Sequence, residues 1–387
     1  MFPVHRSVCR SQDWQQHRQQ SLRNKSKNEN FWEAPYLRGL FLHNKVVTKP
    51  WEKKDLIGDV CMSRYPIKEE FKFYARFTPP FRSAQMAGWM GSMMKPPKWL
   101  WKDSQISVRR ENIGGYDNGS IEVLIMEPKD IETQKCLIYY HGGGFMLEGA
   151  EYHYINAKQY ALETPCKVLF VQYRRAPKHP FPVLTEDCYE ALKWSIENAA
   201  SLGIDEIAVG GDSAGGCLAA AASLMARDRL KFKPAFQLLI YPFTDCSLES
   251  ESNRRFTDTP MWNSKLSKIM LKGYLPDQNV ENLLYASPIM AEDFSNLPHA
   301  YIETAEFDCL HDDGINYAQK LRAAGIPVEL NETKGTMHGF DIAQNAPTTK
   351  QAIETRIQYM RTHFTLNKNN LELEGDDKYV TNKSKKQ

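Results

Sequence analysis

No stretch of this sequence approaches the roughly 18 consecutive apolar residues that a bilayer crossing requires. It also lacks charge of one sign: 49 Lys and Arg stand against 47 Asp and Glu, a formal net charge of +2. That balance gives no electrostatic reason to expect a nucleic-acid partner. The eight cysteines contain no Cys-x-x-Cys spacing, so neither a zinc site nor a disulfide framework is indicated. Residues 1–30 have no apolar signal core; they are rich in Arg, Gln and Asn and poor in acids. Few acids would suit a transit peptide, but the Gln-rich character argues for a disordered arm, and the expected compartment is the cytoplasm. There is no internal repeat.

Two glycine-rich motifs carry the chemistry. Gly210-Gly211-Asp212-Ser213-Ala214-Gly215-Gly216 lies behind the apolar run Ile207-Ala208-Val209 and ahead of the alanine-rich Cys217 to Met225. This is the context of a strand, a sharp turn and a helix, with Gly-x-Ser-x-Gly at the turn. Gly211 and Gly215 keep side chains away where strand and helix nearly touch, and the Ser213 hydroxyl is pushed out above the sheet. A free serine hydroxyl is a poor nucleophile, so a base and an oxyanion site must lie elsewhere. The second motif, His141-Gly142-Gly143-Gly144-Phe145, follows the strand-like Cys136–Tyr140. Three glycines leave backbone N–H groups free to turn toward one point, as a tetrahedral oxyanion demands. Gly143, Gly144 and Ala214 are the expected donors, with His141 shaping the loop and Asp212 supporting the serine turn. A phosphate cradle would need Gly-Lys-Ser/Thr at its end, which is missing.

A serine nucleophile on such a turn is followed along the chain by an acid and then a histidine. His299–Ala305 reads as a strand leading into Glu306-Phe307-Asp308, and Pro327–Leu330 as a second strand running toward Met337-His338-Gly339-Phe340. Adjacent strand ends can bring Asp308 and His338 together beside Ser213. His338 would take the serine proton, and Asp308 would fix the ring tautomer and stabilise the imidazolium. Glu306 is the nearest rival acid; Asp312 and Asp313 read as first-turn residues of the next helix, favoured there by its dipole.

With these residues the chain resembles the hormone-sensitive-lipase-like group of α/β-hydrolases. The resemblance is carried by His141–Phe145, Gly211–Gly216, Tyr173-Arg174-Arg175-Ala176-Pro177-Lys178-His179-Pro180-Phe181-Pro182, Glu306-Phe307-Asp308 and His338-Gly339-Phe340. It covers most of residues 104–363. The group usually has Pro after the acid, where this chain has Cys309. The resemblance implies carboxylic-ester hydrolysis through an acyl-enzyme, with no cofactor and no metal. It further implies a lid built from the N-terminal segment and an insertion after the sixth strand.

Strand-like runs at 105–110, 121–127, 135–140, 167–173, 206–210, 236–242, 300–305 and 328–332 alternate, in the later part, with helical patterns at 184–200, 214–227, 313–324 and 348–364. Such alternation predicts a mostly parallel eight-stranded sheet covered on both faces. Gly114–Gly119 is a hairpin signal between the first two strands, so the sheet should be mixed. The expected organisation is a disordered arm over 1–30, a helical cap segment over 31–103, and a catalytic domain over 104–366. The domain carries a cap insertion at about 245–285, and 367–387 form a disordered polar tail. Within the cap, Met86, Trp89, Met90, Met93 and Met94 are spaced as one face of a helix. That face could line an acyl pocket, pack on the hydrolase core or attach to lipid.

The expectation is a serine carboxylesterase acting on short-to-medium acyl esters, its partner a small-molecule ester and a homodimer left open. Alternatives are a deacetylase or amidase using the same site, a long-chain lipase, or a catalytically silent binding protein like the plant hormone receptors of this fold. Those receptors lack the histidine that His338 supplies here.

Overall fold

The structure, a computed structural model, describes residues 64–277 and 279–364. The expectations for the arm over 1–30, for the first part of the cap segment and for the tail over 367–387 lie outside the described residues. In chain order the longer elements are α1 (Ala84–Met93), β1 (Ile106–Gly114), β2 (Ser120–Pro128), β3 (Lys135–Tyr140), α2 (Glu151–Glu163), β4 (Lys167–Gln172), α3 (Val183–Glu197), β5 (Glu206–Asp212), α4 (Ala214–Met225), β6 (Gln237–Ile240), α5 (Ser264–Tyr274), β7 (Ala300–Phe307), α6 (His311–Ala323), β8 (Val328–Met337) and α7 (Pro347–His363).

The eight strands form one sheet in the order β1-β2-β4-β3-β5-β6-β7-β8. β1 and β2 pair antiparallel through the expected hairpin, Gly114 opposite Ser120, and β2 runs antiparallel to β4. Every later pairing is parallel. Helices lie against both faces, so the inner strands show no polar alternation; all seven residues of β5 are buried. The alanine-rich sequence of α4 has a matching cause. All twelve of its residues are buried, and small side chains let the helix lie close to β5. At Gly215 a Cβ would run into the Tyr140 carbonyl, so no larger residue fits the crossing. α2 was not anticipated.

Two segments pack over the C-terminal ends of the strands: residues 64–103, and the interruption between β6 and β7. They touch directly, the Met261 N–H donating to the Phe77 carbonyl at 2.7 Å. α1 meets α5 through small residues, a Cβ on Gly273 falling 2.8 Å from that of Ala84. Here the sidedness differs from the methionine spacing. The inward face of α1 is Ala84, Ala87 and Gly91, whereas Trp89 and Met93 are exposed. At Gly91 the helix lies so near the backbone of Met146 and Leu147 that a Cβ there would meet the Met146 carbonyl. Among the described residues no helix is long and apolar enough to cross a membrane.

Candidate active site

Ser213 sits between the last residue of β5 and the first of α4, with φ 56° and ψ −118°. Left-handed φ is costly for a residue with a Cβ, and surrounding bonds hold it there. Its N–H donates to Ile240 at 2.8 Å, and its carbonyl accepts from Phe243 at 3.1 Å and from Cys217 at 3.2 Å. The backbone is thus tied to β6 on one side and α4 on the other, and the side chain is left to project from the turn.

It projects onto His338. Ser213 Oγ lies 2.8 Å from His338 Nε2, and His338 Nδ1 lies 2.6 Å from Asp308 Oδ2. Asp308 is fully buried and follows directly on β7; His338 follows directly on β8. The carboxylate accepts from the Leu310 N–H through its other oxygen at 2.9 Å. It therefore accepts a hydrogen bond from the Nδ1–H of the imidazole, and Nε2 is left with a lone pair facing the hydroxyl. Glu306 goes elsewhere, accepting the Gly335 N–H at 2.7 Å. Asp312 accepts the Ser252 N–H at 2.8 Å, and Asp313 accepts those of Thr244 and Asp245. Of the four acids only Asp308 meets the imidazole.

The glycine loop is fixed from below. Gly143, Gly144 and Phe145 all have positive φ, +114°, +60° and +60°, and the Gly143 carbonyl accepts from Met146 and Leu147. The Gly142 N–H donates to Asp212 Oδ1 at 3.0 Å. Asp212 also accepts from the Tyr139 hydroxyl at 2.7 Å and meets His153 Nε2 at 2.9 Å. His153 Nδ1 in turn accepts the Ala150 N–H at 2.8 Å, which leaves its proton on Nε2, pointed at Asp212. Burial opposes the Asp212 charge, but His153 as neighbour and donor, together with Tyr139, holds the carboxyl below its ordinary range. His141 is stacked on Tyr173, centroids 4.6 Å apart, and its Nδ1–H donates to the Gly142 carbonyl at 2.7 Å. Burial first, and the nearby His153 second, push His141 down to about 3, which favours its neutral ring.

Residues between β6 and β7 complete the surroundings. The Phe145 ring stacks on Tyr274 of α5, 3.8 Å between centroids. Trp262 lies over Gly144: a Cβ there would be 2.8 Å from the far edge of the indole. Its Nε1–H donates to Ser267 at 3.0 Å, and its ring lies 6.1 Å from that of His338. Behind His338, the fully buried Arg356 grips Asp341 (2.6 and 3.0 Å) and Glu303 (2.5 and 3.0 Å), fastening the turn after the histidine to β7. Among the described residues no group of three or more His, Cys, Asp or Glu could hold a metal ion.

A serine on a strand–helix turn, an aspartate after β7, a histidine after β8 and a glycine loop after β3 are arranged on this sheet as an α/β-hydrolase fold arranges them. Residues 137–342 match the family model described as alpha/beta hydrolase fold. The chain belongs to this family, within its hormone-sensitive-lipase-like group of carboxylic ester hydrolases. It is 37% identical over 254 residues to the carboxylesterase NlhH of Mycobacterium tuberculosis, covering 64% of this chain and 79% of that protein. An arylesterase of Saccharolobus solfataricus is 35% identical over 241 residues, 61% of this chain and 77% of the relative. Among solved structures, a bacterial heroin esterase superposes with a TM-score of 0.68 at 31% identity, over 77% of this chain and 98% of that one.

Sequence reasoning missed His153, Tyr139 and Arg356. Nothing local distinguishes a buried polar residue with partners from a solvated one. Asp212 carried the only available hint, because a carboxylate inside the serine turn must have donors nearby.

Proposed function

We propose that the protein is a serine carboxylesterase of short-to-medium acyl esters, with Ser213 as nucleophile, His338 as general base and acid, and Asp308 as the orienting carboxylate. The observation that carries this reading is the unbroken chain of hydrogen bonds from the Ser213 hydroxyl through both nitrogens of His338 to a buried carboxylate. As Ser213 Oγ attacks the ester carbonyl carbon, His338 Nε2 takes its proton. The oxyanion so formed is received by the N–H groups of Gly143, Gly144 and Ala214; losing one such donor typically costs about 3–4 kcal/mol. Collapse breaks the bond to the alcohol oxygen, which leaves with the proton returned by His338, and the acyl group stays on Ser213. Water then attacks, deprotonated by the same nitrogen, and the second collapse releases the acid and restores the serine hydroxyl. The Trp262 indole over Gly144 supports a limited acyl pocket.

The test is hydrolysis of p-nitrophenyl esters from acetate to palmitate, wild type beside Ser213→Ala. Turnover peaking at two to eight carbons is expected, falling by about 10⁶-fold in the variant. A peak at palmitate would replace the acyl range with that of a lipase, and near-normal turnover by Ser213→Ala would remove the nucleophile assignment.

A further inference from the structure

We propose that the outward face of α1, with the turn that follows it, docks the enzyme on an anionic lipid surface. α1 packs inward with Ala84, Ala87 and Gly91 and with the half-buried Met90, which leaves Trp89 and Met93 turned out. Trp89 and Met93, one helical turn apart, are 64% and 56% exposed, and Trp101 beyond the turn is 38% exposed. Large apolar side chains left in water in this way mark an interaction surface. Four of the seven large hydrophobic residues exposed among the described residues, Phe73, Trp89, Met93 and Trp101, fall in the stretch 73–101, so the feature is local.

The charges decide what kind of surface it meets. Residues 82–102 contain Arg82, Lys95, Lys98 and Lys102 and no Asp or Glu, in a chain otherwise near charge balance. All four basic residues are exposed, and among the described residues no carboxylate pairs with any of them. Tryptophan and methionine exposed together on one helix, with exposed basic residues just before and after it, suit an anionic bilayer interface better than open water. Indole sits well at the headgroup level, and each basic residue adds attraction to an anionic leaflet. A second copy of this chain would bring four positive charges against four, which opposes self-association through this face. The Gly91 end of α1 lies on Met146 and Leu147, just past the glycine loop, so docking would set the site beside the lipid. The proposal does not depend on the catalytic reading.

The test is sedimentation of the full chain with vesicles of phosphatidylcholine alone or with 30% phosphatidylserine, at low and high salt, using wild type, Trp89→Ser/Met93→Ser and Arg82→Gln/Lys95→Gln/Lys98→Gln/Lys102→Gln. Wild type should bind the serine-containing vesicles at least tenfold more tightly than the neutral ones, and high salt should abolish the difference. Each variant should lose at least tenfold in binding, with Tm and turnover of a water-soluble ester unchanged. No vesicle binding by wild type would overturn the proposal, as would binding that survives both sets of substitutions, which would assign it to another part of the chain. A face that instead mediates self-association would show as a wild-type dimer converted to monomer by Trp89→Ser/Met93→Ser, with no lipid dependence.

Discussion

Substituting His153 tests whether the buried Asp212 carboxylate sets the glycine loop for catalysis. The imidazole makes two bonds in opposite directions: Nε2–H to Asp212 Oδ2, and Nδ1 from the Ala150 N–H. Asparagine places an amide near the Nδ1 position and glutamine near the Nε2 position, so His153→Asn retains the Ala150 bond and His153→Gln the Asp212 bond. A hydrogen bond to a charged, buried acceptor is worth roughly 1.5–3 kcal/mol net. If losing it lets Asp212 drift, and the Gly142 N–H with it, the whole amount can appear in the barrier, about 10- to 150-fold in kcat. The expected order of turnover on p-nitrophenyl butyrate is wild type, then His153→Gln, then His153→Asn, with KM little changed. His153→Asn gives up the bond to a charge and His153→Gln a neutral one, so the Asn variant should also lose more in Tm, and turnover is compared at a temperature well below both midpoints. Wild-type kcat in His153→Asn, or the reverse order, would refute the coupling between Asp212 and the loop.

Three further outcomes are expected. Gly144→Ala places a side chain at φ +60°, costing about 1–2 kcal/mol of backbone strain, and presses on Trp262; kcat on p-nitrophenyl acetate should fall at least tenfold, and wild-type kcat would contradict the tight fit. Trp262→Ala removes the indole over Gly144 and should move the acyl optimum to longer chains in the same ester series; an unmoved optimum would place the pocket wall elsewhere. Glu206 is buried at the start of β5, and burial first, only partly offset by Lys135, pushes its carboxyl up to about 7. The folded state then binds more protons than the unfolded one between the ordinary carboxylate value and about 7, so stability falls as pH rises through that window. Glu206→Gln should therefore be more stable than wild type at pH 8, by about 1–3 kcal/mol allowing for partial screening, and little different at pH 5, as read by thermal unfolding at both values.

The parts of this molecule that were legible in sequence are those whose signal is local. Strands such as Lys135–Tyr140 are short apolar runs between turn residues, and the Ser213 turn and the glycine loop announce themselves by spacing. The meeting of Asp308 and His338 could be read because both stand at the ends of neighbouring parallel strands. α2 was missed because Tyr152, Tyr154, Tyr160, His153 and Asn156 obscure its apolar period, although most of these residues are buried. The methionine spacing of α1 left open whether that face meets a pocket, the core or lipid, because methionine and tryptophan outweigh alanine in any apolar count, whereas contact with backbone selects for the smallest residues. Arg356 looks like a solvent-facing residue of an amphipathic helix, and only its two carboxylate partners, from distant parts of the chain, explain its burial.

The hydrogen-bonded trio is assembled from distant parts of the chain: 125 residues separate Ser213 from His338, and His338 is held through Arg356, whose guanidinium also reaches Tyr160, 196 positions away. Contacts of such long sequence separation form late, because loop closure must be achieved before they add any stability. Regained ester turnover during refolding should thus lag behind regained helix signal. An intermediate with β3, β5 and α4 in place but β8 undocked would have the serine turn without His338 beside it and, on the proposed mechanism, would be silent in any activity assay.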